Sequence, residues 1–447
     1  MNTRTNPPNV MIVGGGIAGL FLGTLLERAN IPYTIFERAT TVKTLGAILA
    51  LNVNILPVFE QLGLFDELKK ISFSIPGMHL YNEDMTKIRY KEGKAFVDKV
   101  GYQTFVFSRP EFYNLLLAQV PSHKILFGKK VLSIEHPAEG GVIIHCSDNS
   151  SYLGDIIVGA DGAYSGVRQS LYKYLRQQNL LPISDTLGFK IGYMTMVGTT
   201  DPLDNEKIPD LKDNYTHFRF VFGKGKPYTS SAADDMAFRT SEWGPEGNDD
   251  LIKEVYNFPT SYGPLGQIVD ATPRNRISKV FLEEKLFETW YHGRTVLIGD
   301  AAHKMSPSRG QGAVNALQDA VILANCLYEI ADCATPQNIT AAFQDYKEQR
   351  HPYVEFQFKS SKMQGKIMFG QKWSDRLLRQ LIMGYMPTSF LNRDGLKAAG
   401  YRPQCTFLPL APQRGTCTIL PQKSSRRYAA EQTKESERLH GDIAIQK

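Results

Sequence analysis

The sequence predicts an α/β chain: a parallel-sheet domain interrupted by an inserted mixed β-sheet and closed by C-terminal helices. Three observations lead there. A strand-like run, Asn9 to Val13, passes at once into a glycine turn and an apolar helix, Ile17 to Ala29. A second strand, Thr295–Ile298, enters another glycine-rich turn and a helix that begins near Gln311 and runs towards Tyr328. Between these, beyond Leu187, β-branched and aromatic runs at Ile191–Val197 and Thr216–Phe222 replace helical periodicity.

The remaining elements follow in order. Tyr33 to Glu37 (YTIFE) is a second strand and completes a β-α-β unit. Val53 to Leu62 is expected to be helical, and Met78–Tyr81 with Lys87–Tyr90 to form a strand pair. Arg109 opens a helix with Pro110 at its first turn, where a missing N–H costs nothing. Strands are expected at Lys130–His136, Gly141–Cys146 and Asp155–Val158, the last running into GADG. Helical periodicity dominates from about Ala341 to Met386. The tail after Gln422 has few large apolar residues and is expected to be disordered.

Bulk properties exclude several function classes. The 447 residues carry a net charge of +6, too small and too dispersed for nucleic-acid binding. The five cysteines are scattered without a CxxC pair, and the nine histidines form no HxxxH or HExxH spacing, so neither a disulfide scaffold nor a metal site is expected. The N-terminus has no signal-peptide pattern, and no apolar stretch is long enough to span a membrane. A cytoplasmic protein is expected, at most peripheral at a membrane surface. The segment Lys362–Met386 has one apolar and one basic helical face; it is read as packing on the dinucleotide-binding domain, with a membrane-surface helix as the other reading.

The first glycine turn is Gly14-Gly15-Gly16-Ile17-Ala18-Gly19, a GxGxxG between strand and helix. Gly14 permits the tight turn, Gly16 lets the backbone approach a pyrophosphate, and Gly19 lets helix and strand pack closely. Glu37, at the end of the second strand, is placed to accept ribose hydroxyls. This is a dinucleotide site, and by itself it does not distinguish FAD from NAD. The second motif, Gly299-Asp300-Ala301-Ala302-His303 with Pro307 and Gly310-Gln311-Gly312-Ala313, builds a second polar clamp. Asp300 can accept from a ribityl hydroxyl, and the helix N-terminus at Gly312 and Ala313 can stabilise negative charge on a reduced flavin. A longer FAD molecule has use for that clamp; NAD has none. His303 is read as a support for the loop beside Asp300.

These motifs resemble the fingerprint of the FAD-dependent aromatic hydroxylase superfamily, typified by para-hydroxybenzoate hydroxylase. The third motif of that family is present as Gly159-Ala160-Asp161-Gly162 with Ser165, Val167 and Arg168. The resemblance implies that Asp161 and Arg168 serve FAD and NADPH, that Arg109 lies beside the flavin, and that the Ala50 backbone lines the FAD pocket. It runs from Asn9 to about Gly415. Tyr401-Arg402-Pro403-Gln404 and Phe407-Leu408-Pro409 resemble the C-terminal signature of fungal FAD monooxygenases acting on terpenoids and meroterpenoids.

The resemblance implies a Rossmann-like FAD-binding domain in three parts (9–75, 103–187 and 285–340), a substrate domain in two (76–102 and 188–284), a C-terminal helical region (341–422) and the tail (423–447). The implied activity is an FAD-dependent monooxygenase that uses NAD(P)H and O₂ to hydroxylate or epoxidise an apolar terpenoid or aromatic molecule of secondary metabolism. No catalytic side chain stands out, because the cofactor carries the hard chemistry. Lys190, Tyr193, Tyr215 and Arg219 are candidates for substrate contact. Related fungal chains carry an extra strand pair where this one reads GKGKPYTSSAADDMAFRTSE, between Phe222 and Trp243. Two alternatives stay open: another FAD oxidoreductase on the same fold, or a chain that binds FAD and is catalytically impaired by a shortened substrate sheet.

Overall fold

The computed structural model describes residues 7–41, 48–137, 140–201, 203–204, 206, 208, 212–213, 215–222, 249–370 and 372–445. The polar stretch between Phe222 and Trp243 lies outside the described residues.

The strand Val10–Val13 is buried along its whole length and sits between two parallel partners, Ile156–Gly159 and Tyr33–Glu37. Thr295–Leu297 extends the sheet beyond Ile156–Gly159, and Ile125–Phe127 extends it beyond Tyr33–Glu37. A short antiparallel strand, Tyr291–His292, closes one edge. Strands buried on both faces read as continuous apolar runs, which is why VMIV, IIVG and TVL were visible in the sequence. The order places Val10–Val13 next to Ile156–Gly159, so the two turns that follow these strands, GGG and GADG, emerge side by side at their C-terminal ends.

The helix Ile17–Arg28 covers one face of this sheet and packs against the helix Gly312–Glu329, itself buried over nearly all its length. Both belong to one core that also takes in Phe36, Phe59, Phe112, Trp290 and Tyr346. An antiparallel sheet of Val131–Glu135, Val142–Cys146 and Ser151–Gly154 lies alongside.

The inserted strands form two further sheets. In one, Lys190–Val197 pairs antiparallel with Ser278–Leu286, which also meets His303–Lys304. In the other, Gly77–Asn82 is antiparallel to Lys87–Glu92 and parallel to Phe218–Phe222, a mixed sheet. Ser278–Leu286 was missed in the sequence because its charged KVFLEEK pattern hides the alternation. Among the described residues the inserted part has only a small core of its own, Ile252, Val269 and Ile277. Its strand faces are half-covered rather than sealed.

The C-terminal region is helical as expected in Pro336–Phe369, Trp373–Tyr385 and Thr388–Ala399. The expected helical region overshoots: 400–422 forms no helix and runs as an irregular, proline-containing segment along the body. The tail corrects the expectation of disorder: Arg426–Ile445 is a helix. Ser425 caps it, its hydroxyl accepting from the Tyr428 N–H at 2.9 Å, and Arg427 pairs with Glu431 four residues on. Arg427 also donates to the Tyr328 carbonyl at 2.9 Å and pairs with Asp332, while the Tyr328 hydroxyl donates to Glu431. Composition alone missed it, because docking polar side chains onto the helix Gly312–Glu329 stabilises what apolar burial does not.

Candidate functional site

The site is built at the ends of the central strands. Gly14 has φ of +110°, and a Cβ there would lie 2.5 Å from the Ala160 carbonyl oxygen, so GxGxxG and GADG touch through a contact only glycine allows. A Cβ on Gly19 would lie 2.0 Å from the Gly14 carbonyl oxygen, which is the close helix–turn packing the motif requires. Gly16 is different: a Cβ there would meet nothing within 4 Å. Its backbone therefore faces open space at the N-terminus of Ile17–Arg28, where unpaired N–H groups and the helix dipole favour a phosphate.

Glu37 braces this loop. Its Oε2 accepts from the Gly15 N–H and its Oε1 from the Ala39 N–H, both at 2.8 Å. Each carboxylate oxygen keeps a second lone pair, so a ribose hydroxyl can still be accepted. In GADG, Asp161 Oδ2 accepts from the Val167 N–H at 3.1 Å, while Oδ1 is buried and takes no hydrogen bond from the described residues. Burial pushes the Asp161 carboxyl above the usual range, against the lowering effect of the Ser165 hydroxyl and of the backbone N–H groups around it. A buried acceptor left over beside the glycine loop suits a hydroxyl or amide donor from a bound group.

Arg168 has a structural role within the protein. Its guanidinium is buried, donates to the Ala301 carbonyl at 2.9 Å and to the Ala163 carbonyl at 2.6 Å, and lies over the Phe287 ring. It ties GADG to GDAAH. Tyr164, two residues after GADG, donates through its hydroxyl to Glu283 at 2.7 Å and so links GADG to the inserted sheet. Burial and the Glu283 carboxylate push this phenol up to about 12, so it stays a donor at neutral pH.

The second clamp meets the first. A Cβ on Gly299 would lie 3.1 Å from Ala316 Cβ and 3.7 Å from Ala18 Cβ, so the turn before Asp300 sits between the helices that open at Gly16 and Gly312. Asp300 is half-buried and makes no hydrogen bond to the described residues. Gly312 faces open space, and Ala313 follows it in the first turn of its helix. Ala50 lies on Ile48–Leu51, a strand that packs against that same helix and pairs with Phe105–Ser108, the strand leading into Arg109. Arg109 is exposed and unpaired among the described residues.

Sequence reasoning missed what holds the second clamp in place. His303 Nε2 lies 2.6 Å from Asp319 Oδ2, and that oxygen also accepts from the Gly299 N–H at 2.8 Å. Asp319 Oδ1 accepts from Arg350 Nε at 2.7 Å, and Arg350 donates onward to the Asn315 side chain at 3.0 Å. Asp319 and Arg350 are fully buried. Two residues flanking Asp300 are thus fixed to one carboxylate, and His303 supports that loop as expected. The signal was present: Asp319 is an acid inside the apolar run ALQDAVILA.

The substrate candidates are more scattered. Lys190 is exposed opposite Glu284, and Tyr193 pairs with Leu282 on the same sheet. Tyr215 bridges to Ser74, and Arg219 pairs with His79 in the mixed sheet, its guanidinium over the Tyr262 ring. Among the described residues no group of histidine, cysteine or acidic side chains could hold a metal ion.

A family profile described as an FAD binding domain matches residues 8–188 and 266–359. The chain is 30% identical to the FAD-dependent monooxygenase penM of Penicillium crustosum over 79% of this chain and 77% of that protein. The chain belongs to the FAD-dependent monooxygenases. This monooxygenase is also 27% identical to ausM of Emericella nidulans, across 92% of this chain and 89% of that protein. Among solved structures, HpxO of Klebsiella pneumoniae complexed with FAD and uric acid matches with a TM-score of 0.68 at 19% identity, covering 88% of this chain and 97% of that one. CtdE, complexed with FAD and a substrate, matches at 0.64 and 17%, covering 97% and 100%. At those identities the likeness is one of fold. The cofactor of this monooxygenase is FAD, and the open Gly16 cradle, with Asp161 Oδ1 and Asp300 taking no hydrogen bond from the described residues, fits its phosphates and hydroxyls.

Proposed function

We propose that this monooxygenase uses NAD(P)H and O₂ to insert one oxygen atom into an apolar terpenoid or aromatic molecule of secondary metabolism, in the cytoplasm. The balance is substrate, O₂, NAD(P)H and a proton to oxygenated product, NAD(P)⁺ and water. The observation that carries this reading is the meeting of two helix N-termini, at Gly16 and Gly312, across the Gly299–Asp300 turn.

Redox and oxygen-activating chemistry belongs to bound FAD. The chain positions and polarises. Gly14, Gly16 and Gly19 admit the pyrophosphate, Glu37 accepts from the ribose, and Asp161 and Asp300 accept from further hydroxyls. The N-terminus at Gly312 and Ala313 favours negative charge on the pyrimidine edge. Ala50 and Arg109 border the flavin side. The substrate is held by the inserted part, 76–102 with 188–284, whose half-covered strands carry Lys190, Tyr193, Tyr215 and Arg219.

The test is an anaerobic reduction of the purified yellow protein by NADPH, then mixing with ¹⁸O₂ and a panel of prenylated aromatics and terpenoids. We expect substrate-stimulated NADPH oxidation and one ¹⁸O atom in the product. Flavin that binds but neither reduces nor transfers oxygen with any of the panel would reduce the reading to FAD binding.

A further inference from the structure

The helix Trp373–Tyr385 is built inside out for a protein surrounded by water. Trp373, Leu377, Leu381 and Tyr385 recur every four residues and so share one face. They are 78%, 48%, 51% and 82% exposed. Asp375 and Arg379, also four apart, point the other way and are both buried. Arg379 donates to the Met368 carbonyl at 3.1 Å and lies over the Phe222 ring. Charges are spent inside while the apolar face is left outside, the reverse of a surface helix. Phe390, 63% exposed, stands beyond the helix end, and Met363 is exposed on the preceding helix. The expected packing of this apolar face on the dinucleotide-binding domain is not found.

The surroundings say what covers it. From Phe356 to Arg393 the chain carries seven basic residues and one acid, Asp375. Lys359, Lys362, Lys366, Lys372 and Arg393 are exposed along this stretch. Lys359 pairs with Glu355, Lys362 with Glu284 and Lys366 with Asp375, each through an ammonium that stays open to solvent. Glu355 and Asp394 flank the run, so the excess of base rests chiefly on Lys372, Arg376 and Arg393. Trp373 and Tyr385 stand at its two ends, where rings with one apolar and one polar side suit a headgroup boundary. No helix among the described residues is long and apolar enough to cross a membrane, so contact is from one side.

We propose that this face docks the enzyme on a bilayer surface carrying anionic headgroups. Leu377 and Leu381 enter the acyl boundary, and Lys372 and Arg393 at the two ends of the stretch meet the headgroups. The helix is also fastened to the inserted mixed sheet: Arg89 on Lys87–Glu92 donates to the Met386 carbonyl at 2.7 Å and to the Gly384 carbonyl at 3.0 Å. Docking therefore brings the inserted sheet against the phase in which apolar molecules dissolve.

The test uses the full FAD-loaded chain in vesicle co-sedimentation, with phosphatidylcholine alone and with about 30% phosphatidylserine. The expected result is binding that needs phosphatidylserine, weakens with salt, and falls roughly tenfold or more in the double variant Trp373→Glu, Leu381→Glu. Both positions are exposed, so that variant keeps its flavin content and melting temperature. Absence of binding to either vesicle overturns the proposal, as does equal binding to both or unchanged binding by the variant. A dimer in solution that Leu381→Glu dissolves, without vesicle binding, assigns the face to a second copy and also overturns it. None of these readouts depends on which substrate is oxygenated.

Discussion

Asp319 and Arg350 form a fully buried ion pair, Oδ1 to Nε 2.7 Å, whose other carboxylate oxygen holds both His303 and the Gly299 N–H. Removing one partner leaves the other charge uncompensated, which costs about 3–5 kcal/mol. Burial alone would raise the Asp319 carboxyl, but His303 and Arg350 outweigh it and hold the group below its usual range. A carboxyl lowered on folding contributes stability that is full above its unfolded pKa, about 3.9, and is lost as pH falls through the folded value. Asp319→Asn should unfold at lower urea concentration at pH 7 and lose less of its remaining stability than the parent between pH 5 and pH 3. Parallel acid profiles for the two proteins would remove Asp319 from that account.

The glycines separate folding from cofactor binding. Gly14→Ala combines a left-handed φ with a Cβ 2.5 Å from a backbone oxygen, and should cost about 3 kcal/mol or more. Gly16→Ala places its methyl in open space and should melt, without flavin, at nearly the parent temperature. It should nevertheless retain little FAD, because the methyl takes the place of the pyrophosphate. Full flavin occupancy in Gly16→Ala would put the phosphates elsewhere.

Glu37→Ala and Asp300→Ala probe the two clamps independently. Each removes an ionised acceptor, worth about 1.5–3 kcal/mol, so FAD should dissociate roughly 10- to 100-fold more readily. The ratio of flavin to protein absorbance after desalting reads this directly. Glu37→Ala should show the larger loss of thermal stability, since it also frees the Gly15 and Ala39 N–H groups.

The C-terminal helix contributes to the fold. A chain ending at Gln422 loses the Arg427 contacts to Tyr328 and Asp332 and uncovers the Tyr328 hydroxyl. A loss of about 1–2 kcal/mol and a fall of several degrees in Tm are expected, read by calorimetry of the holoprotein. An unchanged Tm would mean that the helix rests on the body without stabilising it.

Arg168 should tolerate lysine poorly. Its two carbonyl acceptors, Ala163 and Ala301, need the planar fork, and a lysine cannot reach both while stacking on Phe287. Arg168→Lys is expected to loosen GADG from GDAAH, lowering Tm and raising the FAD dissociation constant together.

Four strands of the central sheet, both glycine turns and the helices behind them were legible in the sequence, whereas the edge strands Ile125–Phe127 and Tyr291–His292 were not, being too short to show a pattern. The legible elements depend on short-range rules: continuous apolar runs for strands buried on two faces, and glycine where φ is positive or backbones touch, as at Gly14 and Gly19. What depends on partners far along the chain was set by the fold. Arg168 became a buried tie because Ala301 lies 133 residues away. Asp319 became the anchor of the second clamp because Arg350 folds back over it. The tail is a helix because Tyr328 and Asp332 receive Arg427. The helix at Trp373 turns its leucines outward because Arg379 finds the Met368 carbonyl and the Phe222 ring inside. Periodicity reports that a helix has an apolar face, but which face the protein covers depends on the neighbours that the fold supplies.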